Sequence, residues 1–249
     1  MFESITRHIR KGQIEPGISA LFLNPFYFAR KGLFTNIASL SKYITGKTLD
    51  VGCGQKPYEK LFLSSQYIGL ELDTEENRRS KKADLFYDGQ VFPFPDSEFD
   101  SIVSNEVFEH IFHPDKFLCE INRVLRPGGI LLITVPFAWD EHEQPNDYAR
   151  YSSFGLRSII EDHGFHILES RKSMNDIRAI FQLLNCYIYK KTATKNNSLN
   201  LLSTFFLIAP INVLGEFLAI VLPKNDDLYL DNVILARKTG NTAGGRNGG

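Results

Sequence analysis

Residues 48–58, TLDVGCGQKPY, run a short apolar strand into a glycine pair and then a proline. Thr48 to Val51 suit a pleated, half-buried surface, and Gly52 and Gly54 permit backbone conformations that a Cβ forbids. A strand that ends on bare main chain turns its N–H groups toward whatever lies beyond it. The stretch therefore reads in two ways, as a nucleotide cradle or as an ordinary tight strand-to-helix turn. The rest of the chain has to choose between them.

From Lys47 onward, strand-like and helix-like stretches alternate, the pattern of a parallel sheet with crossover helices. PYEKLF reads as the start of a helix, YIGLEL as a second strand and FDSIVS as another. HPDKFLCEINRVLRPGG is a helix marked at both ends: Pro114 suits its first turn, and Pro127-Gly128-Gly129 stops it. Its apolar residues Phe117, Leu118, Ile121, Val124 and Leu125 share one face. ILLITVPF is a continuous apolar run that fits a strand covered on both sides. SSFGLRSIIEDHGF is an amphipathic helix ending at Gly164, and HILES a further strand.

The reading divides the chain into a helical lid over 1–46, interrupted at Asn24-Pro25, a cofactor-binding core over 47–171, an apolar helical insert over 172–227, a last core strand over 228–238 and a disordered tail over 239–249. The insert holds two apolar stretches, AIFQLLNCYIY and LLSTFFLIAPINVLGEFLAIVL, separated by KKTATKNNS. A chain of 249 residues, 43% hydrophobic, supports one principal domain with additions. A formal net charge of -1 argues against a nucleic-acid partner, which demands a concentrated basic surface. Cys53, Cys119 and Cys186 lie far apart with no CxxC spacing, so neither a disulfide framework nor a zinc site is expected, and no metal is assigned. MFESITRHIRKG lacks the apolar stretch of a signal peptide, and a cytoplasmic protein is expected.

Glu71 stands at the end of the second strand, about 20 residues beyond the glycine turn, where a carboxylate can accept both hydroxyls of a ribose. A dinucleotide site prefers GxGxxG, and the third glycine position holds Pro57. Asp88 precedes a Pro-Phe-Pro loop and a strand, the order expected of an acceptor for an adenine edge. A nicotinamide-dependent oxidoreductase is the first rival reading, and a cofactor-binding module without turnover the second.

LDVGCG, YIGLE, YDGQVFPFPDSEFD, SNEVFEH and INRVLRPGGILLITVP occur in that order, and together they resemble the class I S-adenosylmethionine-dependent methyltransferases, in the type 11-like branch with a DxGCGxxPY first motif. The resemblance covers about Lys47 to Arg171 plus the last strand. It implies an α/β Rossmann-like fold: a mostly parallel sheet with helices on both faces and an antiparallel last strand. It also implies S-adenosylmethionine as cofactor, with Asp50, Gly52, Cys53 and Gly54 around the methionine part, Glu71 at the ribose, Asp88 and Gly89 at the adenine, Asn105 and Glu106 beneath the sulfonium, and Leu72 as a further cofactor-binding residue. Many members carry a third glycine where this chain has Lys56.

Methyl transfer from a sulfonium is an in-line displacement that needs orientation more than acid–base chemistry. A general base is required only for a hydroxyl or protonated amine, and His110 and His142 are the candidates; either histidine could equally fix a loop. Trp139 to Tyr151, after the fifth strand, adds Tyr148 and Arg150 to the candidate catalytic groups in a segment dense in polar and aromatic side chains. Its DYARYS stretch resembles a feature of members concerned with glycans and lipids, so a small-molecule, glycan or lipid-linked acceptor is expected. In the insert, Asn212 and Glu216 share a narrow polar stripe and Lys190, Lys191, Lys195 and Lys224 flank the apolar stretches. Packing on the core, a homodimer interface and peripheral contact with the inner face of a membrane all remain open for it.

Overall fold

A computed structural model describes residues 15–240; residues 1–14 of the expected lid and 241–249 of the expected tail lie outside the described residues. The seven strands are β1 (Thr45–Val51), β2 (Leu63–Leu72), β3 (Leu85–Tyr87), β4 (Phe99–Asn105), β5 (Leu125–Pro136), β6 (Phe165–Ser173) and β7 (Asp231–Lys238). They form one sheet in the order β3-β2-β1-β4-β5-β7-β6, mostly parallel, with antiparallel pairing at its last strands, as in Rossmann-like methyltransferase folds. The order reverses between β1 and β4, which pair in register from Thr48↔Ser101 to Asp50↔Val103. That reversal opens a crevice at the strands' carboxyl ends.

The helices are α1 (Ile18–Leu23), α2 (Tyr27–Leu40), α3 (Glu75–Ser80), α4 (Pro114–Val124), α5 (Ser153–Asp162), α6 (Arg178–Thr192), α7 (Asn197–Ser203) and α8 (Ala209–Val221), with a π turn over Thr204–Ile208 joining the last two. Two features depart from the sequence reading. PYEKLF forms a single 3₁₀ turn, Glu59–Leu61, in place of a crossover helix. The connection from β1 to β2 is short and is occupied by the glycine bend, and Pro57 offers no N–H. Tyr58 and Phe62 are buried instead. The helix before β5 stops at Val124, and Arg126, Pro127 and Gly128 enter the strand as an exposed irregularity, where the β4–β5 register jumps between Phe99↔Leu125 and Ser101↔Ile130. Leu131 to Val135 are fully buried, as expected of a strand covered on both sides.

The described chain forms two compact units. One holds 40–134, 151–170 and 234–240, including β1 to β4, α4 and α5. In it, α4 buries Phe117, Leu118, Ile121 and Val124 at helical spacing, and Ser152 caps α5 by accepting from the N–H of Gly155.

The other unit holds 15–39, 135–150 and 171–233. Here α1 and α2, interrupted at Asn24-Pro25, pack against α6 and α8 around Tyr27, Phe28, Ala179 and Phe181. The interruption leaves helix-end backbone groups without helical partners. Two fully buried amides serve them. Gln182 accepts from the N–H groups of Phe28 (3.1 Å) and Ala29 (3.2 Å) and donates to the carbonyl of Pro25 (3.0 Å). Asn212 donates to the carbonyls of Leu21 (2.8 Å) and Asn24 (3.4 Å) and accepts from Asn185 (2.8 Å). The polar stripe read in the insert thus faces protein. Glu216 on the same stripe pairs with Lys31 (2.6 Å) and Arg178 (3.4 Å).

Gln182→Leu should leave two buried and one half-buried backbone group without partners and cost about 3 kcal/mol in urea unfolding. A loss below about 1 kcal/mol would contradict this account of the helix break.

Candidate functional site

At the end of β1 the backbone enters the left-handed region at Gly52, φ +72°. A Cβ there would lie 2.3 Å from Cγ2 of Val107, so the turn admits no side chain. The bend is laid onto β2: the N–H groups of Gly52 and Cys53 both donate to the carbonyl of Leu70, at 2.9 and 3.3 Å. Beneath it lies Gly69, where a Cβ would come within 2.6 Å of Cys53 Sγ and 2.5 Å of Lys56 Cε. Gly54 closes the bend by donating its N–H to Glu71 Oε1 at 2.8 Å. Space is open where a side chain would stand at Gly54.

Lys56 explains the departure from the third glycine. Its φ is +53°, a conformation glycine takes without cost, and its ammonium pairs with Asp84, which also accepts the N–H of Gly69 at 2.7 Å. The lysine keeps the glycine-like backbone and ties it to β2.

Asp50 is 3% exposed and accepts from the Tyr67 hydroxyl at 2.7 Å. Burial lifts its carboxyl to about 7, although the Tyr67 bond works to lower it, and nearby Glu71 raises it further. Burial likewise pushes the Cys53 thiol up to about 12, which keeps it protonated and a packing group. Glu71 is buried, and Asn77 reaches its Oε2 at 3.4 Å and the Leu72 carbonyl at 2.9 Å. Asp88, beyond β3, accepts from the N–H groups of Gln90 (2.9 Å) and Val91 (3.3 Å), which hold its carboxyl below the usual range. Leu72 Cδ1 lies 3.0 Å from where a Gly89 Cβ would stand, so these two expected residues adjoin. At the end of β4, Asn105 Oδ1 is buried with no hydrogen-bond donor within reach, and the N–H of Glu106 donates to the Thr134 carbonyl at 3.0 Å. Adjacent strands of one unit thus bring together all ten expected cofactor residues.

His110 sits in the same unit, in a 3₁₀ turn beside the fully buried Glu109, with Nε2 3.7 Å from Glu109 Oε1. The other three candidate catalytic residues belong to the second unit. Arg150 forks onto Asp147 (2.5 and 2.7 Å) and donates to the carbonyls of Asp140 (3.2 Å) and Ala149 (2.8 Å). Its hydrogen bonds are the main reason the Asp147 carboxyl falls to about 2. The backbone N–H of His142 donates to the same carboxylate at 3.0 Å. This geometry makes Arg150 an organiser of the loop. Tyr148 is exposed and bonds Asn146. In the same unit Trp139, Asp140, Leu183, Cys186, Tyr187 and Lys190 line a cavity of about 550 Å³, and Lys190 pairs with Asp140 at 2.7 Å.

Tyr67, Gly69, Asn77, Asp84 and Val107 support the bend and were not singled out by the sequence reading. One signal existed: Tyr67 and Gly69 lie on one face of β2 opposite Thr48 and Asp50, so a tyrosine beside a glycine marks where a side chain can reach across.

Open backbone at Gly54, two buried carboxylates and an oxygen of Asn105 lacking a donor fit a ligand that brings hydroxyls and a cationic group. Residues 49–133 match the methyltransferase domain family. The chain carries a methyltransferase domain. Among relatives of this chain, a fatty-acid O-methyltransferase of Mycolicibacterium smegmatis is 36% identical over 99 residues, 35% of this chain and 36% of the relative. An uncharacterised protein of Methanocaldococcus jannaschii is 30% identical over 139 residues, 51% of this chain and 67% of the relative. The chain spans 36% of the fatty-acid O-methyltransferase and 51% of a second relative from Mycolicibacterium smegmatis, a probable S-adenosylmethionine-dependent methyltransferase. Haemonchus contortus phosphoethanolamine N-methyltransferase 2, solved with S-adenosyl-L-methionine, shares the fold at TM-score 0.54 and 20% identity, over 94% of this chain and 57% of that one.

Asp50 supplies a test of the site's electrostatics. The folded free chain keeps this proton between the ordinary carboxylate pKa, about 4, and about 7, whereas the unfolded chain releases it, so stability falls as pH rises through that window. Asp50→Asn should remove the decline and leave the variant roughly 2–4 kcal/mol more stable, relative to wild type, at pH 8 than at pH 4. Parallel pH–stability curves would contradict the assignment.

Proposed function

We propose that this protein methylates a small amphipathic or lipid-linked acceptor, using S-adenosylmethionine held at the bend after β1. The observation that carries the cofactor reading is the bare bend between two buried carboxylates, Asp50 and Glu71, at the reversal of strand order. When bound, S-adenosylmethionine supplies a methyl group activated by its sulfonium. Glu71 would accept the ribose hydroxyls, giving up its hold on the Gly54 N–H or sharing an oxygen with it. Asp88 and Gly89 would meet the adenine, Leu72 would cover the ribose edge, and Asp50 would face the cationic amino end. Asn105 Oδ1 would gain the donor it lacks, and Glu106 would add its charge near the sulfonium.

The protein's catalytic contribution in this reading is alignment, which in well-oriented reactions lowers a barrier by several kcal/mol, up to about 7–11. His110 and His142 are the groups able to take a proton where the acceptor is a hydroxyl or a protonated amine. Tyr148 and the loop held by Arg150 would face the acceptor. A lipid-like acceptor is supported by the relative named as a fatty-acid O-methyltransferase and by the apolar residues around Trp139.

Calorimetry tests the cofactor site: Gly52→Val should abolish S-adenosylmethionine binding and Asp88→Ala should weaken it about tenfold or more. Unchanged affinity in both would refute the assignment. Transfer of a labelled methyl group into an extractable lipid or small acid should accompany binding in the wild type; binding without turnover on any acceptor would favour a cofactor-binding module.

A further inference from the structure

The helix running from Asn197 to Val221 is built inside out. Its 25 residues reach a mean hydropathy of 2.0 in the most apolar window, yet only 28% of that window is buried. From Thr204 onward its polar residues turn inward: Thr204 and Asn212 are buried, and Glu216, the only charged residue in the helix, pairs with Lys31 and Arg178. Gly215 lies close to Phe28, where a Cβ would stand 2.7 Å from the ring. Water meets the opposite side, with Phe206 67%, Phe217 59% and Ile220 82% exposed. Phe22, Phe205, Phe206, Val213, Leu214 and Phe217 border an apolar groove of about 580 Å³, a size typical of ligand sites.

Positive charge marks the start of the helix, where Lys191 and Lys195 are exposed; at its far end exposed Lys224 is followed by exposed Asp226 and Asp227, and the outward face of the helix itself carries no acid. A second copy of the chain would have to bring this same acid-free face against its own lysines. An anionic lipid surface meets both features at once: acyl chains receive the aromatic and branched side chains, and head groups receive the lysines. The helix is long enough to span a bilayer, about 37 Å at 1.5 Å per residue. Its inward groups are nevertheless bound to α1, α2 and α6, and it connects β6 to β7 of one sheet, so it is placed to lie along a membrane with one side immersed.

We propose that the outward face of α7 and α8 docks on an anionic phospholipid bilayer, with lipid chains entering the groove bordered by Phe22, Phe206 and Phe217. The inference is independent of the cofactor assignment. The test is vesicle flotation of the full chain with phosphatidylcholine alone and with phosphatidylcholine containing phosphatidylglycerol. The wild type should float with the anionic vesicles and less with the neutral ones, and salt should weaken the association. Phe206→Asp with Ile220→Asp, both at exposed positions, should lower the bound fraction about tenfold while leaving the melting temperature and S-adenosylmethionine affinity unchanged. Lys191→Glu with Lys195→Glu should remove the preference for anionic lipid. Gly52→Val should float like the wild type, which separates docking from cofactor binding. Absence of flotation at low salt, or flotation indifferent to Phe206 and Ile220, overturns the proposal; a dimer in sedimentation that these two substitutions dissociate, without vesicle binding, assigns the face to a second copy instead.

Discussion

The site depends on one steric constraint: the main chain leaving β1 must lie flat on β2. Gly52 and Cys53 both donate to the Leu70 carbonyl, Cys53 and Lys56 rest where Gly69 has no side chain, and Gly54 reaches Glu71. Any Cβ at Gly52 strikes Val107, and one at Gly69 lifts the bend off its floor. Because the backbone takes the space, carboxylates on β1 and β2 are brought close together and buried. Burying a carboxylate is expensive, and the pKa of Asp50, raised chiefly by burial and further by Glu71, records it. A buried carboxylate held at such a cost has a functional reason more readily than a structural one.

The helical unit is governed by a second constraint, the satisfaction of backbone groups at the Asn24-Pro25 break. Gln182 and Asn212, far along the chain, supply the missing donors and acceptors from within predominantly apolar helices. Buried amides of this kind fix the register of the helices as well as adding stability. They also set which side of α8 faces outward, since a helix with only two inward polar anchors presents apolar residues elsewhere.

The sheet and its ligand end were legible because they rest on local chemistry. A continuous apolar run such as 130–136 can only be a covered strand or a buried helix, and the glycines at 52 and 54 mark a bend of bare backbone. Helix α4 was legible from Pro114 and its 3–4 spacing. The PYEKLF segment misled because its local helix signal was overruled by the length of the connection, a property of the paired strands and not of those six residues. RPGG reads as a stop in isolation, yet strand pairing with β4 absorbs it as an irregularity. The inward direction of Asn212 and Glu216 was illegible for a similar reason: a polar stripe on an apolar helix looks the same whether water or protein meets it. Tyr67 and Asp84 escaped notice because their roles exist only in the parallel register of β1 and β2.

The central claim, that the bend after β1 grips an adenosine carrying a sulfur-containing amino acid, is tested most directly by the melting temperature of the full chain with S-adenosylhomocysteine or NAD at saturating concentration. At about 100 times its dissociation constant a ligand of the folded state adds about 2.7 kcal/mol, which for a chain of this size raises the melting temperature by roughly 5–10 °C. The account expects that rise with S-adenosylhomocysteine and none with NAD. A rise with NAD alone, or no change with either, would contradict it.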